Sequence, residues 1–324
     1  MHISEPSPSR FLTRCGFAWL LSSCVLPNLA AAETAESNLP AVVADGAELT
    51  LVVDGCRFTE GPASDITGNV FFTDQPNDRI VRIGIDGQVS DFLQPAGRAN
   101  GMFFAPDGKL IACADGNTEM WEIDTATGQH QVLFGTHAGA RFNGPNDVWV
   151  HSDGTLYFTD PFYKRPWWDH DTQPQPTQAV YRADRDGGNV RLVDDRFKKP
   201  NGIVGDPGEN GRPGKLYVAD IGDSKTYLYR LDADGQPVDR RLFCEQGSDG
   251  MTLDRDGNLY LTGKAGVTVY SPAGELLGVI AVPRGWTANV CFGGPDHSAL
   301  FITAGDSVFT IAMKTRGLIS RAGQ

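Results

Sequence analysis

Short apolar runs that end in a small or acidic residue recur along the chain. Four copies are Val70-Phe71-Phe72-Thr73-Asp74, Leu110-Ile111-Ala112-Cys113-Ala114-Asp115, Leu156-Tyr157-Phe158-Thr159-Asp160 and Leu216-Tyr217-Val218-Ala219-Asp220. Two weaker copies follow, Leu259-Tyr260-Leu261-Thr262-Gly263 and Leu300-Phe301-Ile302-Thr303-Ala304-Gly305. Successive copies end 41, 45, 60, 43 and 42 residues apart. Asp-Gly turns separate the runs, among them Asp107-Gly108, Asp153-Gly154 and Asp256-Gly257, with others at Asp86-Gly87, Asp186-Gly187 and Asp234-Gly235. Such dipeptides between alternating apolar segments signal β-hairpins. The β-branched and aromatic content of the runs agrees with strands. Four strands per repeat of roughly 40–45 residues is the pattern of a propeller blade. The spacing predicts an all-β, six-bladed β-propeller with four-stranded antiparallel blades around a central channel. Residues Leu49 to Val53 read as a strand that joins the last blade and closes the ring, removing two free sheet edges. The long fourth interval carries an insertion, Pro207 to Pro213, and Phe162 to Pro176 reads as a second long loop.

The N-terminus breaks this pattern. Arg10 and Arg14 precede an apolar stretch, Phe17 to Leu21, that runs on to Leu29-Ala30-Ala31-Ala32. A basic start, a short apolar centre and small residues at the end describe a secretory signal peptide. Leu21-Ser22-Ser23-Cys24 also fits a lipoprotein box that would place a lipid anchor on Cys24. The expected organisation is a signal peptide over 1–32, a linker over 33–46, the propeller over 47–316 and a tail over 317–324, with a periplasmic or secreted location. A closed ring has little need of a partner, so a monomer is expected.

Composition narrows the partners. The chain has 324 residues, of which 40% are hydrophobic and 21% charged, enough apolar side chains for a sizeable core. The formal net charge is −12, with no basic stripe, which disfavours nucleic acid and anionic membrane surfaces. Beyond the leader the cysteines are Cys56, Cys113, Cys244 and Cys291. They have no zinc-site spacing, and two readings stay open for them, disulfides or buried free thiols.

One polar residue opens each repeat at a similar phase: Glu60, Asn100, Asn146, Asn201, Asp249 and Asn289. Taken singly, Asn-Gly and Asp-Gly are ordinary turn dipeptides. Equivalent positions in a propeller lie at equivalent radii, so these six converge at one mouth of the channel. Two carboxylates and four amides form a set of oxygen donors that suits a hard divalent cation, Ca²⁺ first, with Mg²⁺, Mn²⁺ or Zn²⁺ as alternatives. Neither a Gly-x-Ser-x-Gly elbow nor a His-Glu-x-x-His motif is present.

These residues carry a resemblance. Phe58-Thr59-Glu60-Gly61-Pro62, Arg98-Ala99-Asn100-Gly101-Met102, Phe142-Asn143-Gly144-Pro145-Asn146-Asp147, Phe158-Thr159-Asp160-Pro161, Pro200-Asn201-Gly202, Asp249-Gly250-Met251 and the Asn289 segment resemble the gluconolactonase, regucalcin and luciferin-regenerating-enzyme-like family. The resemblance implies a catalytic divalent metal held by Glu60, Asn201 and Asp249, with Asn146 on the metal or the substrate beside it. It implies that Asn100 and Asn289 line the pocket and that Arg141 contacts substrate. The expected activity is opening of a sugar lactone, glucono-1,5-lactone first, with Asp249 as general base, nucleophile or ligand only. Hydrolysis of another ester or an organophosphate at the same site, or a non-catalytic ligand-binding propeller, are the alternatives. Trp167, Trp168, Phe162 and Tyr163 either wall the mouth or pack on the outer blade.

Overall fold

The computed structural model describes residues 41–209 and 212–318. The expected signal peptide, the Cys24 lipidation site and the end of the tail lie outside the described residues. Six four-stranded antiparallel sheets form the blades of the propeller. Their innermost strands are Thr59–Ser64, Ala99–Phe104, Val148–Val150, Pro200–Asp206, Met251–Leu253 and Thr287–Gly293. In the first five blades the chain runs outward from this strand through three successive neighbours. The sixth blade takes its outer strand from the other end of the chain: Thr50–Val53 pairs antiparallel with Ser307–Ala312. A further bridge joins Val43 to Met313. The expected closure is therefore observed, and it leaves no blade with a missing strand.

The recurring apolar runs are the second strands, buried on both faces because each lies between neighbouring blades; Val70–Asp74 and Leu156–Asp160 are buried throughout. Where the last two residues of these runs are threonine and aspartate, the threonine ties its blade to the next and the aspartate holds its own. Thr73 donates its hydroxyl to the Asn100 carbonyl of the next blade, Thr159 to that of Asn201, and Thr262 to that of Ala288. The acidic residue that follows accepts backbone N–H groups of the segment entering its own blade. Asp74 accepts from Arg57 and Phe58, Asp160 from Asn143 and Gly144, and Asp220 from Lys198 and Lys199.

The Asn-Gly dipeptides Asn100-Gly101 and Asn201-Gly202 are not turns. They lie inside inner strands, at register shifts between Ala99 and Met102 and between Pro200 and Ile203. Such bulges re-aim a side chain, here into the channel. The glycines are small because blades crowd at the axis. A Cβ on Gly61 would lie 1.9 Å from the Asn100 carbonyl oxygen, and one on Gly250 2.0 Å from Cγ of Asn289. Among the described residues Cys56, Cys113, Cys244 and Cys291 are buried free thiols.

Candidate active site

The inner strands start at one mouth of the channel, and five of the six predicted polar residues meet there. Glu60, Asn100, Asn146, Asn201 and Asp249 line a cavity of about 260 Å³ together with Phe58, Tyr163, Arg165, Ile221 and Trp286. Glu60 is buried, and its Oε2 accepts the Gly61 N–H at 2.9 Å. Asp249 accepts from two directions: the Asn201 amide donates to Oδ1 at 2.6 Å and the Trp286 indole N–H to Oδ2 at 2.5 Å. The same Asn201 amide donates to the Tyr163 hydroxyl at 3.0 Å. Its own Oδ1, like that of Asn100, is buried with no hydrogen-bond partner among the described residues.

Asn289, the sixth member, sits one layer deeper. Its Oδ1 accepts the Val290 N–H, and it lines a larger cavity of about 790 Å³ that opens at the far ends of the inner strands. That cavity is walled by Met102, Phe104, Ile203, Val204, Met251 and Phe292 together with polar residues, among them Asp65, Asp107 and Asp147, whereas Glu60, Asn100, Asn146, Asn201 and Asp249 line the smaller one. Convergence of polar groups, rather than volume, marks the candidate site.

The electrostatics are those of confined negative charge. Burial, and then repulsion from Asp249, raises Glu60 well above the usual carboxylate range. Burial pushes Asp249 up to about 6, while the Trp286 indole, the Asn201 amide and the Arg165 guanidinium pull it down. Asp147 lies beneath and reaches about 8 through burial, although the N–H groups of Val148 and Ile203 donate to it. Buried carboxylates of this kind call for a cation. Among the described residues no three His, Cys, Asp or Glu side chains come together as a metal set. The oxygen donors here are Glu60 and Asp249 completed by amides, and the orphaned Oδ1 of Asn201 is an acceptor awaiting a partner. This donor chemistry fits a hard divalent cation.

Arg141 does not reach the cavity. It lies on the two-stranded hairpin formed by Thr136–His137 and Ala140–Arg141, is half exposed, and pairs with Asp169 at 3.3 Å. It lines a separate cavity with Trp167, Trp168 and Asp169, so the structure does not bring Arg141 together with the other expected site residues. The guanidinium that does line the site belongs to Arg165, on the long loop after Asp160. On the same loop Tyr163 faces the cavity, whereas Trp168 packs away from it and donates its indole N–H to the Asp115 carbonyl at 2.7 Å. Arg165 and Trp286 have no counterparts at the same phase in other blades, so the repeat gave no signal for them.

The model for the SMP-30/gluconolactonase/LRE-like region matches residues 58–306. The chain belongs to that family. A curated gluconolactonase of Zymomonas mobilis is 31% identical, over 86% of this chain and 85% of its own. A diisopropyl-fluorophosphatase of Loligo vulgaris is 25% identical, over 78% of this chain and 88% of its own. The solved structure of a Xanthomonas campestris protein described as a gluconolactonase superposes with TM-score 0.76 at 30% identity, covering 84% of this chain and 91% of the other. The family thus places the chain among hydrolases whose relatives include lactone-opening enzymes.

Proposed function

We propose that the protein is a metal-dependent lactonase that opens a sugar lactone, with glucono-1,5-lactone as the first substrate to test. The observation that carries the reading is the pair of Glu60, buried, and Asp249, partly buried, beside the orphaned Oδ1 of Asn201, at the mouth of a channel in a chain of this family. Glu60, Asn146, Asn201 and Asp249 would hold the cation. When bound, such an ion polarises a carbonyl and stabilises the charge that develops on its oxygen. The chain's own groups supply the rest. Trp286 and Asn201 fix the Asp249 carboxylate from two sides, so its lone pairs present one orientation to a water that attacks the lactone carbonyl carbon. The carboxylate takes the proton of that water as the new C–O bond forms, and the ring C–O bond breaks when the alkoxide oxygen is reprotonated. Phe58, Tyr163 and Trp286 wall the cavity against bulk water.

A pH-stat assay on the purified protein tests the reading. It runs on glucono-1,5-lactone after chelation, then with Ca²⁺, Mg²⁺, Mn²⁺ or Zn²⁺ restored, less spontaneous hydrolysis. Acid release that stops on chelation and returns with the cation is expected. Cation binding without release from any lactone would move the reaction to another ester or a phosphotriester. Neither binding nor release would leave a non-catalytic propeller.

A further inference from the structure

Arg165 is bound into the site by a departure from the repeat. Asp74, Asp160 and Asp220 each hold two backbone N–H groups of their own blade. Asp115 stands at the same phase of the second blade and, among the described residues, accepts no backbone N–H. Its Oδ2 lies 2.7 Å from Nε of Arg165 and accepts the Gln75 amide at 3.1 Å. The loop from the third blade is thereby pinned to the second, across the mouth of the cavity. The guanidinium carbon lies 5.4 Å from the Tyr163 ring centroid and 5.7 Å from that of Trp167, which fixes the group further. Among the described residues its terminal nitrogens, Nη1 and Nη2, make no hydrogen bond to protein, yet Arg165 lines the cavity beside Glu60, Asn100 and Asp249. Its two free nitrogens are therefore donors at the wall of the space a substrate fills.

The surrounding charge decides which substrate they suit. Asp115 already answers the positive charge of Arg165, and Glu60, Asp249 and Asp147 lie around or beneath the cavity. A carboxylate or phosphate on the substrate would meet a guanidinium whose charge Asp115 already answers, beside the acidic pair Glu60 and Asp249. Hydroxyl groups accept from a guanidinium without that repulsion.

We propose that Arg165 is the specificity residue of this site: Nη1 and Nη2 donate to ring hydroxyls of a neutral, polyhydroxylated lactone, and Asp115 is its positioning residue. The proposal rests on the lactonase reading. Arg165→Ala is expected to lower kcat/KM for glucono-1,5-lactone by about 10–100-fold, mostly through KM. δ-Valerolactone has the same ring and no hydroxyls for Arg165 to read, so its kcat/KM should fall less, and the selectivity ratio between the two lactones should drop at least about fivefold. Arg165→Lys keeps the charge and loses the planar fork, and should also lose selectivity between the two lactones. Asp115→Asn should move selectivity in the same direction by less. Equal losses on both lactones would assign Arg165 to structure alone and overturn the proposal. So would a wild-type preference for a carboxylate-bearing aldaric lactone that disappears in Arg165→Ala, because that result describes an anion receptor. Binding of 1,5-anhydroglucitol, a ring polyol with no ester, separates the two readings. If no lactone is opened but the polyol binds the wild type at least about tenfold tighter than Arg165→Ala, the lactonase reading fails and the hydroxyl-reading role stands. Equal binding removes the role.

Discussion

Asp249 shows how a single residue gathers its chemistry from its neighbours. Burial raises its carboxyl to about 6, and two donors from different elements hold it in one orientation. A free aspartate has neither property. Replacing it by asparagine keeps the shape and removes the proton-accepting oxygen. Asp249→Asn is therefore expected to lower kcat on glucono-1,5-lactone by about 10²–10⁴-fold while its thermal melt stays cooperative. Steady-state rates beside a circular-dichroism melt check this, and a folded variant with wild-type kcat would remove Asp249 from the proton transfer.

At the scale of the element, the repeated Thr-Asp ending does two jobs. The threonine joins a blade to its neighbour and the aspartate clasps the entry to its own. Asp74 is the case with a defined acid response. Burial pushes its carboxyl up, but donation from the Asn77 amide, the Arg57 and Phe58 N–H groups and the Arg79 guanidinium outweighs it and holds the group below the usual range. A carboxylate depressed in the folded state adds stability that is fully present above the unfolded pKa, about 3.9, and is lost as pH falls through the folded value. Urea midpoints of the wild type and Asp74→Asn should therefore differ most at pH 6–8, and the gap should close below about pH 4. A gap that is constant with pH would assign the loss to packing rather than to the charge. The clasp is also where the second blade differs, since Asp115 gives up the backbone and holds Arg165.

At the scale of the whole molecule, the ring depends on a strand from the opposite end of the chain. Thr50–Val53 completes the last blade, and Thr59 donates to the carbonyls of Gly305 and Ser307 across the seam. A chain beginning at Cys56 lacks that outer strand and exposes the edge of Ser307–Ala312. It should unfold at lower urea than the full propeller, with amide exchange rising first in Ser307–Ala312 and Ala299–Ala304. Exchange in the third blade, on the other side of the ring, should rise least. An unchanged midpoint would show that the seam is held without the strand.

The sequence by itself determined the blade count, the closing strand and the phase of the polar ring. Each is written in a period, and a propeller gives every member of a period the same radius; Glu60, Asn146, Asn201 and Asp249 were legible for that reason. Tertiary structure decided what has no period. Arg165 lies against the buried Asp115 and lines the site, whereas Arg141 pairs with the exposed Asp169 and lines a separate cavity. Trp286 is distant in sequence from Asp249 and reaches it only because adjacent blades converge at the axis. Asn289 sits one layer lower because Ala288 takes the ring position of the sixth blade, its carbonyl accepting the Thr262 hydroxyl as those of Asn100 and Asn201 accept Thr73 and Thr159; Asn289 takes the place that Asp147 has in the third blade. Repetition sets radius, and the packing of unrepeated loops against particular side chains sets which groups share the cavity.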